Sequence, residues 1–315
     1  MNTQPTPSSS KRYIGIDVSR DWLDIAGLGP KPRRIANDAP GHLRLLKLLP
    51  PQVHIVLEAS GGYEQALWLA LLRAAVLVSR INPARARYFA KASLQLAKTD
   101  VIDAAMLAAF GTMHHPKADT LPSSEQLQLQ ALVVRREQLV AAQAQQRVEA
   151  QHLGESLLQH QAHSLIEFLD QQIRELEKAI AQLLKAHRNL RDKAQRLEQV
   201  QGVGPTVSAT LLAVLPELGQ IQERAIASLA GLAPFAHDSG PMKGQRHIKG
   251  GRQRARRVLY MAALSAIRHN PILKTFYQRL IQRGKPFKVC ITAVMRKLLC
   301  LLNKLLAKPS FTLAS

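Results

Sequence analysis

Four carboxylates in the first third of the chain have the types and spacing of a metal site. Asp17 stands near the end of a short apolar run, and Glu58 ends a second, β-branched run. Asp100 and Asp103 are three positions apart in a helical pattern, so they share one helix face. Carboxylate oxygens suit Mg²⁺ or Mn²⁺, and like charges held close together would repel without a cation between them. The set therefore indicates a site for metal-assisted phosphoryl transfer. The alternative is that each acid is an ordinary strand-end or helix-surface residue.

A second candidate site is the stretch from Phe235 to Arg257, in which Ser239 stands beside Asp238 and cations follow. Four glycines and Pro241 argue against a continuous helix in most of this stretch. The pattern indicates a flexible loop that carries a hydroxyl nucleophile into a phosphate-binding surface, and an incidental serine in a basic loop is the alternative. The cations are Lys243, Arg246, Lys249, Arg252, Arg254, Arg256 and Arg257.

The charge of the chain favours a polyanionic partner. The net charge of the 315 residues is +21 and the isoelectric point is about 10.6, which favours nucleic acid. Residues 199–315 carry +15 of this charge, whereas residues 121–198 are neutral. The last third is therefore the predicted nucleic-acid-binding part. Aromatic residues make up 4%, so base stacking is not the expected main mode of binding.

Other compositional features exclude several classes of protein. Cys290 and Cys300 are ten positions apart in a helical pattern, about 15 Å of rise, which is too far for a disulfide within the helix. They are predicted to be core thiols of a reducing compartment. There is no zinc-type Cys/His spacing and no apolar stretch of membrane-spanning length. We expect a soluble protein, cytoplasmic or nucleoid-associated, without a membrane contact.

Apolar runs that alternate with helical patterns predict an α/β sheet in residues 13–120. Such sheets place ligands at the carboxyl ends of their strands, where Asp17 and Glu58 fall. Residues 1–12 are polar and are predicted to be disordered.

Residues 121–198 are predicted to be a helical spacer. Its apolar residues step by four and three, which is a heptad seam interrupted at His187. Two interpretations remain open, an internal helical hairpin and an intermolecular coiled coil that sets a dimer. The seam consists of Leu169, Ile173, Leu176, Ile180, Leu183, Leu190 and Leu197.

The basic part, residues 199–315, opens with a turn between two helical patterns that contains Gly202 and Gly204. The turn is typical of a helix-hairpin-helix motif, whose backbone N–H groups face a phosphate independently of base sequence. An ordinary turn between helices is the alternative. The fold class is thus α/β followed by all-α.

Several motifs resemble the DEDD transposases of bacterial insertion sequences, the bridge- or seeker-RNA-guided recombinase family that includes the pilin-gene invertase. In the front part these are Gly15-Ile-Asp17-Val-Ser, Leu57-Glu58-Ala-Ser-Gly, Ile81-Asn-Pro83 and Lys98-Thr-Asp100-Val-Ile-Asp103-Ala. In the rear part they are Leu229-Ala-Gly-Leu-Ala-Pro234, Asp238-Ser239-Gly, Lys243-Gly and Arg256-Arg-Val-Leu-Tyr-Met-Ala-Ala263.

The resemblance implies a ribonuclease-H-like (RuvC-like) first domain in which Asp17, Glu58, Asp100 and Asp103 bind the metal. It implies that Ser239 is the nucleophile that joins DNA through a phosphoserine. It also implies double-stranded target and donor DNA, a structured non-coding guide RNA, and a homodimer or homotetramer. A general-base role for Asp238 is a further hypothesis.

Two other functions remain open from the sequence. In the first, the acids activate water in a structure-selective DNA nuclease, similar to a Holliday-junction resolvase, and Ser239 has no chemical role. In the second, the chain binds nucleic acid without catalysis.

Overall fold

The computed structural model describes residues 12–59, 61–93, 100–235, 247–308 and 310–312, with only the backbone described at Asp100, Val101 and Phe235. The described chain forms two compact units that divide after Pro122. Each unit has its own hydrophobic core.

The first unit is built on a five-stranded mixed sheet in the order β3-β2-β1-β4-β5. The first three strands form an antiparallel meander, and β4 and β5 run parallel to β1. The predicted α/β sheet is confirmed, and its arrangement is consistent with a ribonuclease-H-like domain. The strands are β1 (Arg12–Val18), β2 (Trp22–Ala26), β3 (Arg33–Ala36), β4 (Val53–Glu58) and β5 (Leu77–Ile81).

Helices accompany this sheet, and two of them begin at side-chain caps. Asp38 accepts a hydrogen bond from the Gly41 N–H at 2.7 Å, and Asn82 accepts one from the Ala84 N–H at 2.8 Å. The helices are α1 (Ala39–Leu48), α2 (Gln65–Arg73), α3 (Pro83–Ala92) and α4 (Asp100–His114).

Helix α4 lies against β1 at a distance that only glycine permits. A Cβ atom on Gly15 would be 2.0 Å from the Ala104 carbonyl oxygen and 2.4 Å from the Ala108 nitrogen. On the helix side, a Cβ atom on Gly111 would be 2.5 Å from the Tyr13 ring. The two glycines therefore let the backbones of the strand and the helix approach each other directly.

The second unit is helical, apart from a two-stranded ribbon of β6 (Pro234–Phe235) and β7 (His247–Ile248). Gly154 lies in the break between its two longest helices, and His187 separates the second of these from the next, as the seam predicts. The helices are α5 (Ser124–Ala150), α6 (Ser156–Ala186), α7 (Arg188–Glu198), α8 (Pro205–Val214), α9 (Glu223–Leu229), α10 (Gln253–His269), α11 (Pro271–Gln282) and α12 (Phe287–Ala307).

The heptad seam of α6 is buried inside this chain. Leu169 and Ile173 pack with Leu139 of α5, and Ile180 belongs to the same core as Leu129. The internal hairpin is therefore the arrangement that uses the seam. The predicted spacer, 121–198, shares one core with much of 199–315, so no division between compact units falls at residue 198.

Helix α12 carries both cysteines, and they are free thiols. Burial raises the pKa of the Cys290 thiol, and burial followed by the nearby Glu223 raises that of Cys300. Both thiols are therefore poorly reactive at neutral pH. None of the described helices is both long and apolar enough to span a bilayer.

An ion pair fixes the start of α10 to the segment that follows α8. The Arg252 guanidinium donates to both carboxylate oxygens of Glu217, at 2.5 and 2.6 Å, and to the Val214 carbonyl at 2.9 Å. Burial by itself would raise the pKa of the Glu217 carboxyl. The hydrogen bonds and positive charge of Arg252 outweigh burial and hold this pKa below its ordinary value.

We expect Gly15→Ala to lower the free energy of unfolding by about 3 kcal/mol, because its Cβ must displace backbone atoms of α4. Thermal and urea unfolding followed by circular dichroism measure the effect. Gly29→Ala is the matched control, since a Cβ there meets no atom of the described residues within 4 Å. Equal stability of the two variants would contradict the close packing of α4 on β1.

We expect Arg252→Met to lower the free energy of unfolding by about 1 kcal/mol at pH 7, since both partners are about one-third exposed. The folded-state pKa of Glu217 lies below its unfolded value, so the stabilisation is present above the ordinary pKa and is lost as the pH falls through the folded pKa. The difference from wild type should therefore shrink below about pH 4.5. Urea unfolding at a series of pH values measures it.

The control for this substitution is Arg257→Met, which removes an exposed arginine from the same helix. It should leave stability unchanged at every pH. A stability loss in Arg252→Met that does not vary with pH would mean that Arg252 stabilises the fold through packing and not through its charge.

Candidate active site and nucleic-acid interface

The register of the sheet brings Asp17 and Glu58 to neighbouring strand ends. Strands β1 and β4 are parallel, and Gly15 pairs with Val56. Side chains two positions further along each strand point to the same face, so Asp17 and Glu58 lie side by side on the face that α4 covers. Both side chains are half-buried.

Helix α4 brings the acidic pair to the same edge. It runs antiparallel to β1, because Gly111 meets Tyr13 while Ala104 and Ala108 meet Gly15. One helical turn covers 5.4 Å, close to the rise of two strand residues, so the turn that precedes this contact is level with Asp17. Asp100 and Asp103 occupy that turn.

These backbone positions fit a carboxylate site for a divalent cation. Among the side chains that the structure describes, however, no three of the Asp, Glu, His or Cys type are close enough together to hold a metal ion. The side chain of Asp100 lies outside that description. The fold thus assembles the four predicted positions at one edge, and the described carboxylates do not form a preformed cluster.

The turn that follows Glu58 is stabilised by residues that the sequence patterns did not single out. Glu64 is buried and accepts a hydrogen bond from the Gly62 N–H at 3.0 Å, and the Arg80 guanidinium lies 3.7 Å from its carboxylate. The same guanidinium stacks 3.6 Å from the centre of the Trp68 ring. In the sequence, Glu64 is marked only by its position two residues after a Gly-Gly pair. That pattern is too common to indicate a role.

The second candidate site, the serine loop, is described at its two ends only. Ser239, Asp238, Lys243 and Arg246 lie outside the described residues. Strands β6 and β7 pair antiparallel immediately before and after residues 236–246. The residues that precede and follow the serine loop therefore lie side by side.

Two glycines close the base of this loop. A Cβ atom on Gly251 would be 2.1 Å from the Gly231 nitrogen, and one on Gly231 would be 2.1 Å from the Gly250 carbonyl oxygen. The Arg252 N–H also donates to the Leu229 carbonyl at 2.7 Å. We call this arrangement, residues 229–235 and 247–252, the neck of the serine loop.

The predicted nucleic-acid-binding arginines differ in their surroundings. Arg252 is committed to Glu217, Arg254 forms an ion pair with Glu137 at 3.0 Å, and Arg256 donates to the Gly250 carbonyl. Arg257 is exposed and makes no polar contact with any described residue. Of these four arginines, Arg257 is therefore the one most accessible to a phosphate, whereas Arg252 and Arg256 make contacts within or beside the neck and Arg254 contacts α5.

The predicted helix-hairpin-helix turn joins α7 to α8. Gly202 has a positive φ of 101°, and a Cβ there would be 2.8 Å from Ala266. Gly204 caps α8, and the N–H groups of Gly204 and Thr206 find no acceptor among the described residues. The turn therefore presents two free donors to solvent at a helix N-terminus.

A cavity of about 550 Å³ opens beside this helix start. Thr206 lines it together with Lys185 and Arg191. The carboxylates of Glu177 and Glu198 line the same cavity, so its charge is mixed.

Comparison with known proteins finds two transposase families that together match most of the chain. A family model described as "Transposase IS116/IS110/IS902 family" matches residues 194–278, which contain the hairpin turn, the neck and the serine loop. A second transposase model, that of the DEDD domain of IS110, matches residues 14–152, which contain all four acids.

Similar proteins extend over most of the chain. The pilin gene-inverting proteins of Moraxella lacunata and Moraxella bovis are each 28% identical over 303 residues, covering 92% of this chain and 94% of the relative. The uncharacterized 43.6 kDa protein of insertion element IS110 from Streptomyces coelicolor is 29% identical over 143 residues, covering 45% of this chain and 34% of the relative.

DEDD transposases use divalent metal ions and bind DNA. With both family models matched in chain order and a relative aligned over nearly its full length, the chain belongs to the IS110/IS116/IS902 family of DEDD transposases and is a DNA transposase/recombinase enzyme.

Proposed function

We propose that the chain cuts and rejoins DNA through a covalent phosphoserine at Ser239, with a divalent cation held by Asp17, Glu58, Asp100 and Asp103. The observation that carries the proposal is the placement of the four acidic positions at one edge of the first unit. The neck, which holds both ends of the basic loop that carries Ser239, supports the part of the proposal that concerns the serine.

The bound cation, Mg²⁺ or Mn²⁺, would supply charge neutralisation for a phosphoryl group at the acidic edge. The contribution of the protein is to hold the carboxylates on β1, β4 and the first turn of α4. The tight packing at Gly15 keeps these three elements at fixed positions relative to one another.

Ser239 supplies the nucleophile. Its oxygen forms a bond to the scissile phosphorus as the bond from phosphorus to the 3′-oxygen breaks. The serine proton passes to a base, for which Asp238 is the adjacent candidate, and the departing 3′-oxygen takes up a proton. A 3′-hydroxyl that attacks the phosphoserine reverses the step, so DNA is rejoined without ATP because the phosphoester bond is conserved.

Nucleic acid would lie along the basic part of the chain. Lys243, Arg246, Lys249 and Arg257 provide cations, and the α8 start at Gly202 and Gly204 provides backbone donors. These contacts do not read base sequence. We therefore propose that a structured guide RNA supplies specificity by base pairing with target and donor DNA. Sequencing the RNA that copurifies with the chain tests this directly.

A homodimer or homotetramer is the proposed assembly, in which the acids of one protomer serve the serine of another. Apolar side chains remain exposed on the α5–α6 hairpin, including Val148, Leu157 and Phe168. These residues are candidates for a contact between protomers. Because full-length relatives bear the name pilin gene-inverting protein, DNA inversion is one rearrangement that such an assembly would perform.

A structure-selective nuclease is the second candidate, favoured by the fact that the acidic edge belongs wholly to the first unit. In this case the acids activate water and Ser239 is dispensable. Asp17→Asn separates both enzyme proposals from mere binding, because it should abolish strand cleavage without unfolding the chain. Asp21→Asn, at an exposed position between β1 and β2, is its control.

We expect Ser239→Ala to abolish the covalent protein–DNA adduct, because alanine has no oxygen to form the phosphoester. The adduct is measured as a slow-migrating band after denaturing electrophoresis with end-labelled DNA. Ser228→Ala removes an exposed serine of α9 and should leave the adduct unchanged. Normal cutting and rejoining by Ser239→Ala would support the nuclease and exclude the phosphoserine.

We expect Arg257→Ala to weaken DNA binding and to reduce the slope of log affinity against log salt by about 1, as one phosphate contact is lost. Fluorescence anisotropy with one duplex at several salt concentrations measures both quantities. Arg147→Ala, an equal change of charge on the exposed face of α5, is the control. If the two variants behave identically, Arg257 makes no direct phosphate contact.

A further inference from the structure

Trp22 is an exposed tryptophan where the turn after β1 enters β2. The chain has two tryptophans. The other, Trp68, is only 4% exposed, and its indole N–H donates to Asp119 at 2.8 Å. Trp22 is 47% exposed and lies outside the described hydrophobic cores of the first unit. The fold therefore uses Trp68 for packing and leaves Trp22 on the surface.

Strand register places Trp22 beside the acidic edge, where Asp17 and Glu58 lie. Asp17 pairs with Asp24, and Trp22 stands two positions before Asp24 on the same strand, so it points to the same face. Trp22 and Asp17 are therefore diagonal neighbours, about 7–8 Å apart and within reach of an aromatic side chain. Arg34 agrees with this placement, because its guanidinium donates to Asp24 at 2.9 Å and also lies 6.0 Å from the centre of the Trp22 ring.

Hydrogen bonds hold the turn that carries Trp22. The Ser19 hydroxyl donates to the Trp22 carbonyl at 3.0 Å, and the Ser19 N–H donates to the same carbonyl at 2.9 Å. The side-chain amide of Asn37 donates to the Ser19 carbonyl at 2.8 Å and to the Tyr63 carbonyl at 3.2 Å. Asn37 thus joins the turn after β1 to the turn after β4. Tyr63 is itself 53% exposed, so two exposed aromatic residues lie on joined turns at this edge.

An exposed ring in this position suits a base that has no stacking neighbour. In a duplex both faces of each base are covered, so an aromatic side chain stacks on an unpaired base. A base is joined to its phosphate through one sugar, so a base on Trp22 would bring its phosphate to the acidic edge. The family of this chain binds DNA, and pairing of a guide RNA with one DNA strand would leave the other strand unpaired. The occupant that fits the ring is therefore an unpaired DNA strand.

We propose that Trp22 is a nucleic-acid-binding residue, on which a base of an unpaired DNA strand stacks beside the acidic edge. The inference rests on the proposed function, which supplies the unpaired strand. It adds a contact in the first unit to the contacts proposed for the basic part of the chain. An aromatic face makes this contact, so the contact itself requires no bound cation. Trp22 positions the strand and takes no part in the chemistry.

The test uses the fluorescence of Trp22 as a local probe. The full chain is titrated with single-stranded oligothymidylate in a buffer with Mg²⁺, which screens the acids of the edge from the phosphates. A base that stacks on Trp22 should quench part of the tryptophan emission. Trp22→Phe leaves only the buried Trp68 as a fluorophore, so this quenching should be lost. A duplex, whose base faces are covered, should quench neither protein.

Affinity for the same strand, measured by fluorescence anisotropy of the labelled oligonucleotide, gives a second readout. We expect Trp22→Ala to weaken binding roughly tenfold, because the stack of one base is lost. Trp22→Phe keeps an aromatic face and should stay within about threefold of wild type. Neither variant should change the affinity for a duplex. Leu77→Ala, which removes an exposed apolar side chain at the opposite end of the sheet, is the control and should bind as wild type does.

The other outcomes identify other occupants or none. Binding of oligothymidylate without quenching would overturn the inference alone, as would equal losses of affinity in Trp22→Ala and Trp22→Phe. Quenching by oligouridylate but not by oligothymidylate would assign the ring to RNA and overturn the proposal for DNA. A change of emission with protein concentration in the absence of DNA would assign the ring to a contact between protomers instead. A chain that binds neither single-stranded nor duplex DNA would overturn the proposed function and this inference with it.

Discussion

The contact between α4 and β1 is the constraint on which the acidic edge depends. A helix normally packs on a sheet through side chains, but here Gly15 brings the backbone of β1 up to the carbonyl of Ala104. This contact fixes both the height of α4 and its position along the strand. The first turn of α4 consequently lies level with the carboxyl ends of β1 and β4. Two acids of the strands and two of the helix, far apart in sequence, thereby come to one edge.

A similar use of glycine organises the second unit. Gly231 and Gly251 allow two backbone segments to approach closely, and a short antiparallel ribbon follows this contact. The ion pair between Arg252 and Glu217 lies next to the contact. The neck is thus tightly packed at the base of the loop that carries Ser239. A base held in this way suits the role of nucleophile proposed for Ser239.

The charges of the second unit are divided between structure and binding. Residues 199–315 contain three acids. One of them, Glu217, forms an ion pair with Arg252, while Arg254 pairs with Glu137 of α5. Most cations of residues 199–315 have no acid of that segment to pair with, which leaves a strongly positive surface. A DNA transposase needs such a surface, since phosphate contacts supply affinity independently of base sequence. The acidic edge of the first unit has the opposite character, and the proposed cation would match its charge.

Local chemistry determined much of this protein. Alternating apolar runs specified the sheet, Asn82-Pro83 marked the start of a helix, and His187 and Gly154 marked breaks, because these signals act over a few residues. The acids and Ser239 could be identified for the same reason, because residue type and position within a short motif are local features. Tertiary structure alone decided which partners the described charged residues have. The heptad seam packs against the apolar face of α5 within the chain. Arg252 and Arg254 form ion pairs because acids distant in sequence, Glu217 and Glu137, lie beside them. Asp24 and Arg34 met through strand register, which depends on pairing between segments and cannot be read from either segment alone.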